Sequence, residues 1–399
     1  MLTPEELAEL PRYIEDLFAD YDDFVMRDFS RRVASAGKVT DTAAWQARRA
    51  SEWGASKKAL GEEAKRVLRL AKEGANNILT DAYTMSNNAD FIRYKSAGLF
   101  AERVISNDAL MRYLEAAIKQ TNGLLKNISG TTGFVYGNGG VCLSLTDAYI
   151  RALDLAQLQV SSGVLDYNTA VRNAVKTAAD SGVQYIDYES GYHLNIASAA
   201  RMCTLTGVNQ MAARMNDQIC DELGLDLVEV TAHAGARPSH QTWQGGIYSR
   251  SGKSDKYDDL YAATGLGTVT GLCGANCRHN YYGYMEGSPR AWPPEKLAKI
   301  DPEPVMIDGK RYTYYDLTQK QRQLERQIRK TKRELLGYNE VPKLREDFVA
   351  ASIKLNRQRR RYEDFSQKAG LPLQPERSQE YKYGPSISMK AVWANRKGV

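Results

Sequence analysis

Leu227-Val-Glu-Val-Thr-Ala-His-Ala-Gly-Ala-Arg-Pro-Ser-His240 opens as a strand and closes as a loop carrying two histidines. Leu227–Thr231 reads as a β-strand that runs directly into His233, so the polar residues after it stand on a loop beyond a strand end. Binding and catalytic groups favour such places because a rigid element positions them. Just upstream, Asn195 to Leu223 reads as one long helix closed by Gly224. A short strand fed by a long helix makes the middle of the chain mixed α/β. With helices predicted on both sides of it, the expected class is α+β, mostly helical.

Toward the N-terminus, Thr3-Pro-Glu-Glu6 combines an N-cap, a proline at the first helical position and a capping-box glutamate. Leu7, Leu10, Ile14, Leu17, Tyr21 and Phe24 then recur at alternating three- and four-residue steps. They make one apolar stripe that either packs as core or docks a partner, and Gly37 lies near the helix end. Further helices are expected at 42–53, 57–73, 88–104 and 107–120. From Ser129 glycine-rich turns take over, with helices expected at 145–159 and 167–179, the second capped by Asp166 or Asn168. Val183–Tyr188 alternates as a short strand does.

Toward the C-terminus, Trp292-Pro-Pro294 and Asp301-Pro-Glu-Pro304 mark a linker. Val305–Tyr314 reads as a β-hairpin turning at Asp308-Gly309. Leu317, Gln321, Leu324, Ile328, Thr331 and Leu335 form one heptad-like seam. Leu344, Phe348, Ala351, Leu355, Gln358, Tyr362 and Phe365 form another, and Gly337 and Pro342 separate the two. The pattern predicts an antiparallel helical hairpin followed by an extended tail from Gly370. Three consecutive regions are therefore expected: helical 1–125, a mixed α/β domain at 126–300, and 301–399 with a small β-hairpin, a helical hairpin and the tail.

At 399 residues, 43% hydrophobic and 26% charged, the chain has material for two or three domains. No apolar run approaches the roughly 18 residues of a membrane span, and Met1-Leu-Thr-Pro-Glu-Glu lacks a secretory pattern, so a cytoplasmic site of synthesis is expected. Five cysteines in so long a chain do not make a disulfide framework. Cys142, Cys203 and Cys220 sit among apolar neighbours and read as core. The net charge of +6 is uneven: residues 301–399 hold 22 Lys+Arg against 13 Asp+Glu, the first 300 residues 32 against 35. Any polyanion contact is expected in the C-terminal quarter.

Three of the four histidines (His233, His240, His279) and two of the five cysteines (Cys273, Cys277) fall within 47 residues, the second group on Gly271-Leu-Cys-Gly-Ala-Asn-Cys-Arg-His279. His233, His240, Cys273 and Cys277 are enough to ligate Zn²⁺, with His279 as an alternative fourth ligand, although the spacing is not that of a zinc finger. Two other readings stay open: a hydrogen-bonded loop scaffold with packed thiols, and catalysis by a thiolate or a metal-activated water. No complete set of catalytic parts can be named. Separately, Arg329, Lys330, Lys332 and Arg333 on one arm of the helical hairpin, and Arg357, Arg359, Arg360 and Arg361 on the other, are expected on outer faces. They are the candidate contacts to nucleic-acid phosphates, without base reading.

Ala232-His-Ala-Gly-Ala-Arg-Pro-Ser-His240, Trp243-Gln-Gly245 and Leu272-Cys-Gly-Ala-Asn-Cys-Arg-His279 resemble the signature of the minor capsid proteins of tailed bacteriophages, the group related to the Mu-type minor head proteins. Ala200-Arg201, Asn209, Tyr315-Asp316, the Gln- and Arg-rich run 319–333 and Tyr362-Glu-Asp-Phe365 support it. The resemblance implies a low-copy structural head protein, located in the virion near the portal vertex and in the host cytoplasm during assembly. Its implied partners are the portal, through the N-terminal region, other head proteins and double-stranded DNA, with no membrane. Some relatives of the Mu-type group carry toxin or enzyme domains at the C-terminus. The alternative is therefore a cysteine- or metal-dependent DNA-processing enzyme or toxin delivered with the genome.

Overall fold

Thr3 Oγ1 accepts the backbone N–H of Glu6 at 3.2 Å and Glu6 Oε2 accepts that of Thr3 at 2.8 Å, closing the capping box that starts the first helix. The computed structural model describes residues 2–36, 42–96, 107–136, 140–162, 166–378 and 385–397, and it is 66% helical with small antiparallel sheets. The class is α+β, mostly helical. The expected ends of the helices at Gly37 and 97–104 lie outside the described residues, as does Gly139 of the expected turn.

The path begins with α1 (Pro4–Glu9), α2 (Arg12–Ala36), α3 (Thr42–Ser96) and α4 (Asn107–Gly130). The N-terminal stripe is thus split: Leu10-Pro11 breaks it, since proline has no N–H to continue a helix. α3 is a single helix where separate pieces were expected. Gly54, Gly61 and Gly74 lie inside it, and although each glycine costs roughly 1 kcal/mol in helix propensity, tertiary packing outweighs that cost. Gly74 shows how: a Cβ there would sit 2.6 Å from the ring of Tyr13, so the glycine admits the close approach of α2.

Next come β1 (Thr132–Tyr136), β2 (Val141–Ser144), α5 (Leu145–Ser161), α6 (Tyr167–Ser181, capped by Asp166), β3 (Gln184–Ile186), β4 (His193–Asn195) and α7 (Ile196–Leu223). They lead to β5 (Leu227–Val230), α8 (Pro238–Gln241), β6 (Ile247–Ser249), α9 (Leu260–Thr264), β7 (Tyr281–Gly283) and α10 (Pro294–Leu297). The chain then forms β8 (Val305–Ile307) and β9 (Lys310–Tyr312), joined by Asp308 and Gly309 at φ 48° and 77°, the positive pair a tight hairpin turn needs. Last are α11 (Tyr314–Asn339), a 3₁₀ turn at Pro342–Leu344, α12 (Arg345–Lys368), a second at Pro375–Ser378, and α13 (Pro385–Lys397).

The fold has two compact units, each drawn from separated stretches. The first comprises Met1–Ile14, Ala71–Leu125 and Ala200–Thr318; the second comprises Glu15–Leu70, Lys126–Ala199 and Gln319–Val399. Helices α2, α3, α4, α7 and α11 each divide their residues between the two, which no boundary drawn from linker composition reveals.

In the first unit, Leu2, Leu7, Leu79, Leu110, Leu114, Val208, Met211 and Met215 form one core cluster. A second lies on the three-stranded sheet β6-β5-β7, where Val228, Val230, Tyr248, Leu272 and Tyr281 pack with Ala213 and Cys220 of α7. Helix α7 serves both clusters and is therefore apolar on opposite sides.

In the second unit, α2 is buried on nearly all sides, and Phe29 stacks edge-on to Tyr149 at 4.9 Å. A four-stranded sheet of order β2-β1-β3-β4 completes this part. The expected helical hairpin is present: Gln321 meets Ser366 at 3.0 Å, Glu325 meets Tyr362 at 3.4 Å and Glu334 meets Lys354 at 3.1 Å, an antiparallel register. Gly337 does not end α11. It lies inside it, because a Cβ there would come 2.5 Å from Val175.

The stripe residues Leu7, Ile14 and Tyr21 are buried in the chain's own core, the first of the two readings. Two expectations need correction here. The tail is not extended throughout. Gln374 N–H donates to Tyr362 Oη at 2.8 Å, the Pro372 carbonyl accepts from Gln321 at 3.0 Å, and α13 packs on α12. Lys332 and Arg333 are buried rather than on an outer face, because this tail and α2 cover α11.

Candidate functional site

Strands β5 and β7 pair antiparallel, with Val230 opposite Tyr281, so the C-terminal end of one lies beside the N-terminal end of the other. The loop leaving β5 carries His233 and His240. The loop entering β7 carries Cys273, Cys277 and His279. Sheet pairing alone therefore brings the two halves of the sequence signature together.

The second loop is held in an unusual backbone. Cys273 and Asn276 have φ of 58° and 56°, a region non-glycine residues rarely adopt. A Cβ on Gly271 would fall 2.0 Å from the carbonyl oxygen of Gly265, and one on Gly274 would fall 2.4 Å from that of Val269. The glycines of Gly-Leu-Cys-Gly are thus required for the loop to close on itself. Helix α7 clamps it from below: Asn209 Nδ2 donates to the carbonyls of Cys277 (3.0 Å) and His279 (2.9 Å), and Asn216 Nδ2 donates to that of Tyr281 (2.6 Å). Arg237 donates to the Ala275 carbonyl at 2.9 Å, tying the first loop to the second.

At the centre, His240 Nδ1 and His279 Nδ1 are 3.4 Å apart, and Cys277 Sγ lies 3.8 Å from the first and 3.7 Å from the second. All three residues are buried. Trp243 walls the cluster, with its ring 4.4 Å from that of His240 and 4.9 Å from that of His279. His240 Nε2 faces the Thr270 carbonyl at 2.9 Å, and His279 Nε2 faces Gln244 Oε1 at 3.1 Å. Gln244 Oε1 also accepts the His233 backbone N–H at 3.2 Å.

The structure brings His240, Cys277 and His279 into one triangle. It places the other two candidates differently. His233 stacks flat on His279 at 4.3 Å, with the Arg278 guanidinium 3.0 Å from its Nδ1. The same nitrogen lies 2.9 Å from the Ala234 carbonyl, so a donor-only and an acceptor-only group both face it. Cys273 is fully buried, and its Sγ contacts the His279 carbonyl at 3.7 Å. The ligand set read from the sequence is therefore changed: His279 belongs to the tight cluster, while His233 and Cys273 flank it.

Burial dominates the acid–base chemistry. It pushes His233 down to about 4, helped by Arg278, and it holds His240 below and His279 well below the usual histidine range. Burial likewise pushes the Cys273 and Cys277 thiols up. A nucleophilic cysteine needs a depressed pKa and access, and these thiols have neither.

Gln244, Asn209, Asn216 and Thr270 are site residues that the sequence reading did not assign. Gln244 stands inside the quoted Trp243-Gln-Gly245, but neutral amides carry no metal or acid–base signal by type. Asn209 and Asn216 are seven residues apart on α7, hence on one face.

The candidate nucleic-acid residues divide. Arg329 donates to the Arg377 carbonyl at 2.8 Å, Lys330 pairs with Asp180, Lys332 donates to the Ser378 carbonyl, and Arg333 pairs with Asp22 at 2.9 Å. Arg357, Arg360 and Arg361 are exposed on α12, and Arg359 is half-buried.

A family model described as phage minor capsid protein 2 matches residues 2–367. The chain belongs to this family. Its members are minor capsid proteins of phages, so the protein is a structural component of the virion with other head proteins as partners. Comparison with curated proteins and with solved structures finds no match. No helix among the described residues is long and apolar enough to cross a membrane.

Proposed function

We propose that this minor capsid protein is built into the phage head beside the portal and turns the outer face of α12 toward packaged DNA. The observation that supports DNA contact is the separation of the two basic runs. Arg329–Arg333 is engaged inside the fold, whereas Arg357, Arg360 and Arg361 cluster on the side of α12 opposite Leu355, Tyr362 and Phe365. In the antiparallel register the exposed Arg326 of α11 lies level with Arg361, which adds a fourth positive charge. Phosphate contact by such a face is independent of base sequence.

Full-length protein is titrated onto unrelated duplexes while salt is raised from about 50 to 200 mM. Three or four neutralised phosphates give a log–log slope of roughly −2.7 to −3.6 and a loss of affinity of about fortyfold to 150-fold. Replacing Arg357, Arg360 and Arg361 together by Gln flattens the slope by about three. A slope unchanged by that variant, or no binding at low salt, overturns DNA contact through α12. Portal placement is tested separately by cross-linking purified virions: cross-links to portal subunits are expected, and cross-links to shell protein alone overturn it.

A further inference from the structure

We propose that His240 Nδ1, His279 Nδ1 and Cys277 Sγ bind one zinc ion that staples the loop after β5 to the loop before β7. Zinc bonds of about 2.0–2.1 Å to nitrogen and 2.3 Å to sulfur give tetrahedral edges of roughly 3.4 Å between two nitrogens and 3.6 Å between nitrogen and sulfur. The three separations here are 3.4, 3.7 and 3.8 Å. One face of a tetrahedron is thus already assembled, within a few tenths of an ångström.

The surrounding hydrogen bonds point the same way, independently of those distances. The Thr270 carbonyl and Gln244 Oε1 can only accept, so His240 and His279 both carry their proton on Nε2. Both Nδ1 atoms therefore present lone pairs 3.4 Å apart; the Cys277 S–H can donate to one of them at most, whereas a cation held by all three engages both. A backbone carbonyl and a side-chain amide behind two imidazoles are the outer partners that orient metal-bound histidines. Two imidazoles and a thiolate suit zinc and exclude magnesium and calcium, which take oxygen ligands. His233 and Cys273 lie outside the triangle and are not ligands in this assignment.

The test uses full-length protein purified without chelator, with zinc measured per chain by mass spectrometry. About one zinc per chain is expected. After chelation under reducing conditions, Co²⁺ is added, and the intense d–d bands of a tetrahedral site are expected with a thiolate-to-cobalt charge-transfer band. Cys277→Ser removes the charge-transfer band, whereas Cys273→Ser and Cys142→Ser retain it. Gln244→Leu keeps the spectrum but weakens zinc binding by about 10–100-fold, the usual effect of removing an outer partner. Wild-type protein with neither zinc nor a cobalt spectrum overturns the proposal even if every variant misfolds. A Cys277→Ser spectrum identical to wild type, or loss of the band on Cys273→Ser with Cys277 intact, overturns the ligand assignment.

Discussion

Asp22 and Arg333, 311 residues apart in the chain, meet in a buried ion pair at 2.9 Å. The second oxygen of Asp22 accepts the backbone N–H of Val183 at 2.7 Å, so one carboxylate joins α2, the entry to β3 and α11. The pair itself adds little net stability, because both ions lose their water. Removing one partner is another matter, since it strands a buried charge. Arg333→Gln and Asp22→Ala are each expected to destabilise the protein by about 3–5 kcal/mol. Arg361→Gln, at an exposed position, should stay within about 0.5 kcal/mol. Denaturant midpoints measured on the three variants decide it. Equal midpoints would mean that Arg333 is solvated in solution.

Gly182 lies directly against that pair. Its φ of 62° and ψ of −173° belong to a region essentially reserved for glycine. A Cβ there would also sit 2.6 Å from Arg333 Cζ and 2.7 Å from Asp22 Oδ2. Gly182→Ala should therefore cost more than the roughly 1–3 kcal/mol of backbone strain alone. In a double-mutant cycle with Arg333→Gln the losses should be less than additive, because the second change removes the clash created by the first. Strict additivity in thermal unfolding would show that the backbone carries the whole effect.

Glu325 faces Tyr362 across the helical hairpin at 3.4 Å and is almost fully buried. Burial raises its pKa, and that effect outweighs the opposing pull of Arg377, Arg329, Arg322 and the Tyr362 hydroxyl. Between the ordinary glutamate value and the raised one, the folded state holds more protons than the unfolded state. Stability from this group therefore falls as pH rises through that window and stays low at neutral pH. Glu325→Gln, which keeps the acceptor but never ionises, should raise the melting temperature at pH 7 and leave it unchanged below the usual carboxylate range. A lower melting temperature at pH 7 would mean that the carboxylate is stabilised by the three arginines after all.

Much of this architecture was legible where a local rule governs it. The Thr3 capping box, the Asp166 cap, the Asp308-Gly309 turn and both seams of the helical hairpin depend on neighbours within a few residues, and each is present. The density of His and Cys likewise marked the region of the central cluster. What sequence did not show depends on distant partners. The burial of Lys332 and Arg333 comes from a tail about 46 residues onward and from Asp22. The exchange of His279 for His233 in the central triangle comes from ring orientations set by Gln244, Thr270 and Arg278. A basic run and a histidine look the same in sequence whether they face solvent or each other.

Asn209 gives the sharpest test of how the site is supported from beneath. Its amide donates to the Cys277 and His279 carbonyls, and its Oδ1 accepts from Asn280 Nδ2 at 2.8 Å, all in the interior. Asn209→Ala removes the amide donor from both carbonyls, at a cost of about 1–3 kcal/mol for a carbonyl that water cannot reach, while Asn280 Nδ2 keeps the backbone carbonyl of residue 209 and the His279 carbonyl keeps its two thiol contacts. Asn209→Asp should be worse than its near-identical shape suggests, because a carboxylate would face two carbonyl oxygens with no proton to offer. The loss is expected to be local first, since the loop entering β7 has little regular structure of its own. Limited trypsin digestion reads this directly: cleavage after Arg278, now in the clamped loop, should appear early in both variants and late in wild type. If Arg278 stays protected while global stability falls, Asn209 supports α7 packing and not the signature loop.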